Sequence, residues 1–256
     1  METGKVNKTL AFFEKFSARF RIEYTAGLDL FIMHHSGAVF FGIEDPTEKI
    51  ILAVGSVDAK KWPRHPIAKL EFKNRFEQFE AREVRLIPES FFEKENTEMG
   101  HFWCPGSGVF ITYLEDTWAM DIGLNTRIPR TAALLESSSG NLSHLPESFS
   151  VYQGKEGFEF LHHHKRKLQH FHQEKSKSLD DTVYHLMLYI QSQDMDLKNV
   201  ELEILGWQAE ELCNLFQHFV PKVAVSSLLR QRDVEQLIPA SLLGVYTLLF
   251  QSDLCV

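Results

Sequence analysis

The chain has 256 residues, 44% hydrophobic and 12% aromatic, enough apolar material for one large domain or two of about 100 to 150 residues. Its net charge of -8 provides no general attraction for nucleic acid or anionic lipid, which would need a basic face, although a local basic patch stays open. Cys104, Cys213 and Cys255 lie far apart without a C-x-x-C pair, so neither a disulfide framework nor a zinc site is signalled, and no apolar run nears the roughly 20 residues that span a bilayer. The expectation is a soluble, cytoplasmic protein with reduced thiols and no membrane or nucleic-acid partner.

In chain order, Leu10, Phe13 and Phe16, spaced by lysines and a glutamate, predict a short amphipathic helix or ordered arm over Met1–Ser17. Leu28–His34 and Ala38–Ile43 are apolar, β-rich runs joined by a Ser36-Gly37 hairpin turn, and Lys49–Val54 is a third, doubly buried strand. After Pro63 and Pro66, the spacing of Ile67, Leu70, Phe72, Phe76 and Phe79 predicts a helix packed on those strands. Glu83–Ile87 reads as a fourth strand, and Pro88 followed by Glu89–Lys94 as a brief helix. Asn96–Gly108 is polar and reads as a loop. Val109–Leu114 and Trp118–Ile122 read as strands, and Ile128–Glu136 as a helix. The serines, Gly140, Asn141 and Pro146 within Ser137–Pro146 mark a composition break, placed as the boundary between a subdomain of residues 1–140 and one of residues 141–256.

The second half opens on the most legible stretch. Phe149–Gln153, Gly157–His164 and Lys167–Gln173 form a predicted β-meander. Ser178 stands where a helix N-cap belongs, with Asp180 and Asp181 at the positive end of the helix dipole. Val183, Leu186, Met187 and Ile190 give the helix its apolar stripe. Asn199–Leu205 supplies the next strand. Gln208–Phe219 repeats a helical pattern through Leu212, Leu215, Phe216 and Phe219. Lys222–Leu228 reads as a strand, and Val234–Leu249 as a helical or mixed segment broken by Pro239 and Gly244.

Both halves thus show three strands, a helix, a strand and a helix, a repeat of architecture without a repeat of residues. An α/β chain with mixed sheets and two similar βββαβα units resembles the plan of the actin-like ATPase superfamily, with its ribonuclease H-like fold. Four runs carry a narrower resemblance. They are Val84–Phe92, Leu168–Leu188 with its Ser-Leu-Asp-Asp helix start, Glu203–Gly206, and Leu248–Cys255. In these the chain resembles a family of uncharacterised Bacteroidetes proteins with an actin-like fold. That resemblance implies the fold and brings no established activity.

In ATPases of the superfamily, each half opens with a hairpin bearing an Asp-x-Gly-type turn that holds phosphates and Mg²⁺, and a Gly-Gly turn after a later strand holds the adenosine. The matching positions here are Ser36 and Gly37 in the first hairpin, Gly154 and Gly157 in the second, and Gly206 with Trp207 after the later strand. Neither hairpin turn carries an Asp, and oxygen ligands are what Mg²⁺ demands. Asp29 stands at the start of its strand instead of the end. Trp207 puts an indole in place of the second glycine, where close backbone approach to a nucleotide would be obstructed. The implied reading is a degenerate cleft without catalytic residues, metal or cofactor, in a scaffold or interaction module with a protein partner. The alternative is an ATPase or nucleotide-responsive switch that takes ATP and magnesium, since glycine turns can bind anions through backbone donors alone.

His163, His170 and His172 would share one strand face if the turn after His164 centres on Lys165-Arg166, which would suit a metal, but no cysteine or carboxylate spacing supports one and a solvated face is the plainer reading. The run His162–Lys167 could meet an acidic partner or nucleic acid, against the commoner solvated turn. Trp62, Trp103, Trp118 and Trp207 read as half-buried core residues before interface anchors. Nucleophile-elbow, Walker and dinucleotide glycine signatures are absent from the sequence.

Overall fold

The computed structural model describes residues 12–35, 37–92, 99–114, 126–140, 145–154, 157–226 and 237–252. The first sheet contains β1 (Phe13–Phe16), β2 (Asp29–His35), β3 (Ala38–Asp45), β4 (Ile50–Asp58), β5 (Asn74–Phe79) and β9 (Thr126–Pro129). Between β5 and β9 in sequence, β6 (Arg82–Pro88), β7 (Gly100–Cys104) and β8 (Val109–Leu114) form a separate three-stranded sheet. Helix α1 (Arg130–Gly140) leads to the second sheet, made of β10 (Glu147–Gln153), β11 (Gly157–His164), β12 (Lys167–Lys175), β13 (Val200–Gly206) and β14 (Lys222–Val225). Helices α2 (Leu179–Ser192), α3 (Ala209–Phe216) and α4 (Leu243–Leu249) are the other described α-helices, and short 3₁₀ turns join several of these elements.

Apart from β1 on its edge, the first sheet runs β4-β3-β2-β5-β9 and the second β12-β11-β10-β13-β14. In each, an antiparallel meander is followed by two strands parallel to its first strand. The architectural repeat therefore holds at the level of strand order. A central core lies between the two sheets, where Ala132 to Leu135 of α1 and Val245 to Phe250 at α4 pack on Phe31 and Phe40 from one side and Tyr152 and Leu205 from the other. The outer face of the second sheet is covered by α2 and α3, with Leu186, Ile190, Leu212 and Phe216 fully buried. Ser178 caps α2 as the sequence predicts: its hydroxyl accepts from the Asp181 amide, and the Asp181 carboxylate accepts from the Ser178 amide.

Several expectations are corrected. No helix spans Ile67–Phe79. Two short 3₁₀ turns, Trp62–Arg64 and Ile67–Lys69, precede strand β5. The apolar residues do not share one face, because Ile67, Leu70 and Phe72 pack in the core on the outer face of the first sheet while Phe76 and Phe79 enter the central core. Periodicity read a stripe where the chain splits its apolar residues between two cores. Glu83–Ile87 is a strand, but in the three-stranded sheet, and the helix after Pro88 is a single 3₁₀ turn, Glu89–Phe91. The stretch read as a loop contains β7, held against β8 by cross-strand pairs such as Trp103 with Phe110, ring centroids 4.7 Å apart. Phe13–Phe16 pairs with β4 as a strand instead of forming a helix. Ser137 and Ser138 extend α1 into the composition break, each hydroxyl donating to the carbonyl three residues back, Leu134 and Leu135. Phe219 lies beyond the end of α3 and is exposed. The strand read at Trp118–Ile122 lies outside the described residues.

Candidate functional site: three converging turns

The fold brings the ends of β2, β10 and β13 together. Gln153 ends β10 opposite Gly206, the last residue of parallel β13, and the Trp207 amide donates to the Gln153 carbonyl at 2.7 Å. A Cβ on Gly206, whose φ is +91°, would collide with that same carbonyl oxygen. Only glycine lets the two backbones lie this close. The second hairpin closes on a Gly154 amide to Gly157 carbonyl bond of 2.8 Å. A Cβ on Gly154 would sit 3.6 Å from Cε1 of His35, the last residue of β2, so the first and second hairpins meet. Gly37 follows in the left-handed region at φ +80° with open space around it. Ser36, the other residue singled out in that turn, lies outside the described residues. The structure thus gathers Gly37, Gly154, Gly157, Gly206 and Trp207 into one neighbourhood.

Two features distinguish these turns from an open phosphate cradle. First, the strand ends carry His35 and Gln153, neither of them a carboxylate. The Gln153 amide nitrogen donates to the Gly154 carbonyl at 2.7 Å and its oxygen accepts from the Thr182 hydroxyl of α2, also at 2.7 Å, so a neutral side chain closes the turn. Second, α4 begins against the third turn: a Cβ on Gly244 would come within 2.8 Å of the Gly206 nitrogen and 2.9 Å of its oxygen. Trp207 is half-buried and packs on the central core.

Sequence reading missed the carboxylates that the fold brings nearby, because their partners come from distant segments. Glu77 of β5 is buried and pairs with His34 (2.7 Å) and Arg127 (3.6 Å). Glu159 of β11 pairs with Arg130 and accepts from the Thr131 hydroxyl at 2.9 Å. Burial alone would lower the Arg130 pKa, but Glu159, with Tyr152 and Glu80, raises it and holds the guanidinium charged. Burial pushes the Tyr152 hydroxyl up to about 12, and the Arg130 guanidinium lies 4.4 Å from its ring centroid. Asp29 hydrogen-bonds Asn74 at 2.8 Å from the first position of the seven-residue β2. At the usual strand rise that is roughly 20 Å from the turn.

The histidines are arranged differently from the expectation. The turn does centre on Lys165 and Arg166, with φ of 47° and 69°. A bulge then shifts the register, so His162 faces His170 while His163 faces Leu168. His162, His170 and His172 therefore share the α2 side and His163 points the other way. His162 and His164 each hold the Glu147 carboxylate at 2.7 Å, and His170 stacks on Tyr189 with centroids 4.8 Å apart. Burial lowers the pKa of His162 and His170, and brings that of His163 down to about 4. Among the described residues no group of three or more His, Cys, Asp or Glu is placed to hold a metal ion. Cys104 and Cys213 are free and buried, Trp62 is fully buried, and no helix among the described residues is long and apolar enough to cross a membrane. Cavities of about 810 and 460 Å³ flank the β11–β12 hairpin, and none of Gly37, Gly154, Gly157, Gly206 and Trp207 lines either.

No protein-family model matches the chain. No curated protein matches it either. Solved structures do. A Bacteroides thetaiotaomicron protein with an actin-like ATPase fold and unknown function superposes at a TM-score of 0.70 with 14% identity, over 90% of this chain and 98% of that one. The PilM-PilN type IV pilus biogenesis complex gives 0.60 with 12% identity, over 89% of this chain and 97% of that one. The chain has an actin-like ATPase fold of mixed α/β sheets.

Proposed function

We propose that this chain is a non-catalytic actin-like protein, a cytoplasmic scaffold or interaction module that works through a protein partner, with residues 1–140 and 141–256 as its two subdomains. The observation that carries the reading is the state of the cleft: His35 and Gln153 end the two phosphate-side strands, and the buried carboxylates nearby, Glu77 and Glu159, are engaged by cations. Mg²⁺ is bound through oxygen ligands, usually one or two carboxylates beside the substrate phosphates. Support for a protein partner comes from the fold: the similar PilM was solved in complex with PilN. Membership in a Bacteroidetes family of uncharacterised proteins is part of the same proposal, supported by the near end-to-end superposition on the Bacteroides thetaiotaomicron structure. The buried free thiols fit a reducing compartment.

Calorimetry with ATP and Mg²⁺ tests the reading. The expected result is no heat of binding in the micromolar range and no phosphate release above buffer, with Trp207→Gly leaving both unchanged because the metal ligands stay missing. Micromolar binding, or phosphate release abolished by substitution at Gly154, would replace this reading with a nucleotide-responsive ATPase that uses Gly37, Gly154, Gly157 and Gly206 as backbone anion donors. The convergence of those glycine turns is the observation favouring that second reading.

A further inference from the structure

The larger cavity, about 810 Å³, lies between two sheet edges. On one side is β12, the end strand of the second sheet; on the other is β6, an end strand of the three-stranded sheet, and the two are not paired with each other. Five consecutive residues of β12, from Lys167 to Phe171, line the cavity, as do three consecutive residues of β6, from Val84 to Leu86. Successive side chains of a strand point to opposite faces, so unbroken runs of lining residues mean that the cavity follows the strand edges, whose outward backbone N–H and C=O groups meet no pairing strand among the described residues. Two residues beyond Phe171, the side-chain amide of Gln173 donates to the Ala81 carbonyl at 3.3 Å and ties β12 to the residue before β6.

The groove's charge is opposite to that of the chain. Arg85, Arg166 and Lys167 line it, all exposed, together with His163 and His170, and among the described residues its lining contains no Asp or Glu although the chain carries a net charge of -8. Of the carboxylates that adjoin the lining, Glu136 accepts from the Gly106 amide at 3.2 Å and Glu147 holds His162 and His164, while Glu83 and Glu89, next in sequence to Val84 and Pro88, are exposed to solvent. Leu86, Leu168 and Phe171 add half-buried apolar surface. Cations and a bulge on an edge strand guard it against indiscriminate pairing, and the same cations select an acidic strand over a neutral or basic one.

We propose that this groove docks an extended, acidic segment of a protein partner, which adds to β12 as a further strand and lays alternate apolar side chains against Leu86, Leu168 and Phe171. The unpaired edge supplies main-chain hydrogen bonds, and Arg85, Arg166 and Lys167 supply the charge selection. An unfolded acidic chain fits better than a nucleic acid because the groove offers strand edges and, among the described residues, a single phenyl ring, Phe171, beside the imidazoles of His163 and His170 for base stacking. The proposal rests on the interaction-module reading only in taking the partner to be a protein, and the ATP titration reports on the converging turns, which lie outside this groove, so the two can fail separately.

The test is selection of displayed random decapeptides on the full chain, followed by titration of the enriched peptides against wild type and against the Arg85→Glu/Lys167→Glu double variant, whose fold is checked by circular dichroism and melting temperature. The expected result is enrichment of sequences alternating Asp or Glu with apolar residues, binding weakened at least about tenfold by the charge reversal, and new hydrogen-exchange protection at the amides of residues 167–171. Enrichment of peptides without acidic residues, no enrichment, binding that survives the reversal, or absence of protection along β12 would each overturn it. So would binding of a thymidine decamer that the reversal abolishes while no peptide competes.

Discussion

Arg130, in the first turn of α1, and Glu159, on β11, form a buried ion pair that joins the segment leaving the first sheet to the meander of the second. Both are almost excluded from solvent, at 4% and 2% exposure, so neither charge has water to fall back on. Thr131 and Gln173 add hydrogen bonds to the carboxylate, at 2.9 and 3.4 Å. Taking two charges out of water costs several kcal/mol each, and only such close pairing offsets it.

Removing one partner of this pair should therefore cost more than removing both. Glu159→Gln leaves the buried guanidinium with only the half-exposed Glu80 carboxylate, 3.3 Å away, as a counter-charge and is expected to lose about 3 kcal/mol, whereas Arg130→Met combined with Glu159→Leu should recover most of that loss. Urea midpoints of the single and double variants check the order. A double variant as unstable as the single would mean that the pair contributes more than it costs to bury.

The converging turns make a graded prediction for two glycines. At Gly37 the strain is only the left-handed backbone, so Gly37→Ala should cost about 1–2 kcal/mol. At Gly206 a methyl also meets the Gln153 backbone, which cannot move without opening the β10–β13 pairing, so Gly206→Ala should fall in the exceptional range above about 4 kcal/mol. Thermal melts of the two variants decide between this ranking and equal effects.

For α2, Leu186→Ala empties a fully buried site and should cost roughly 2–5 kcal/mol. Ser178→Ala removes one side of the capping box, at the helix end, and should cost about 1 kcal/mol. Denaturant midpoints test the order; an inverted pair would place the helix's stability in its cap instead of its packed face.

Acid should weaken the fold through the β11–β12 histidines. Burial lowers the His163 pKa to about 4 in the folded chain, below its unfolded value near 6.5, so between those values the unfolded chain binds more protons and stability falls as pH falls. His162 and His170 are lowered too and act in the same direction. Glu147, which burial would raise but which hydrogen bonds from His162 and His164 bring below its ordinary value, also loses its contribution as acid protonates it. Urea midpoints measured from pH 7 to pH 4 should decline, with a shallower slope in His163→Leu by up to about 3 kcal/mol across the window. An unchanged slope would show that His163 does not titrate with unfolding.

What the sequence determined by itself were the elements whose signals are local. The meanders at β2–β4 and β10–β12, the Ser178 cap, the stripe of α2 and the glycines at the turns all depend on neighbours within a few residues, and they sufficed to place the chain among actin-like folds. Tertiary structure alone decided whatever depended on partners far along the chain. Phe76 and Phe79 fit a helical spacing with Ile67 and Leu70, yet β5 forms because the gap between β2 and β9 offers its backbone hydrogen bonds on both edges and burial on both faces. The bulge after His162 turned His163 away from His170, since a single inserted residue reverses which face a strand presents. Arg130 could not be matched to Glu159, nor the β6 edge to the β12 edge, because burial and charge compensation are fixed by where the sheets meet, and that meeting is a property of the packed core and not of any one segment.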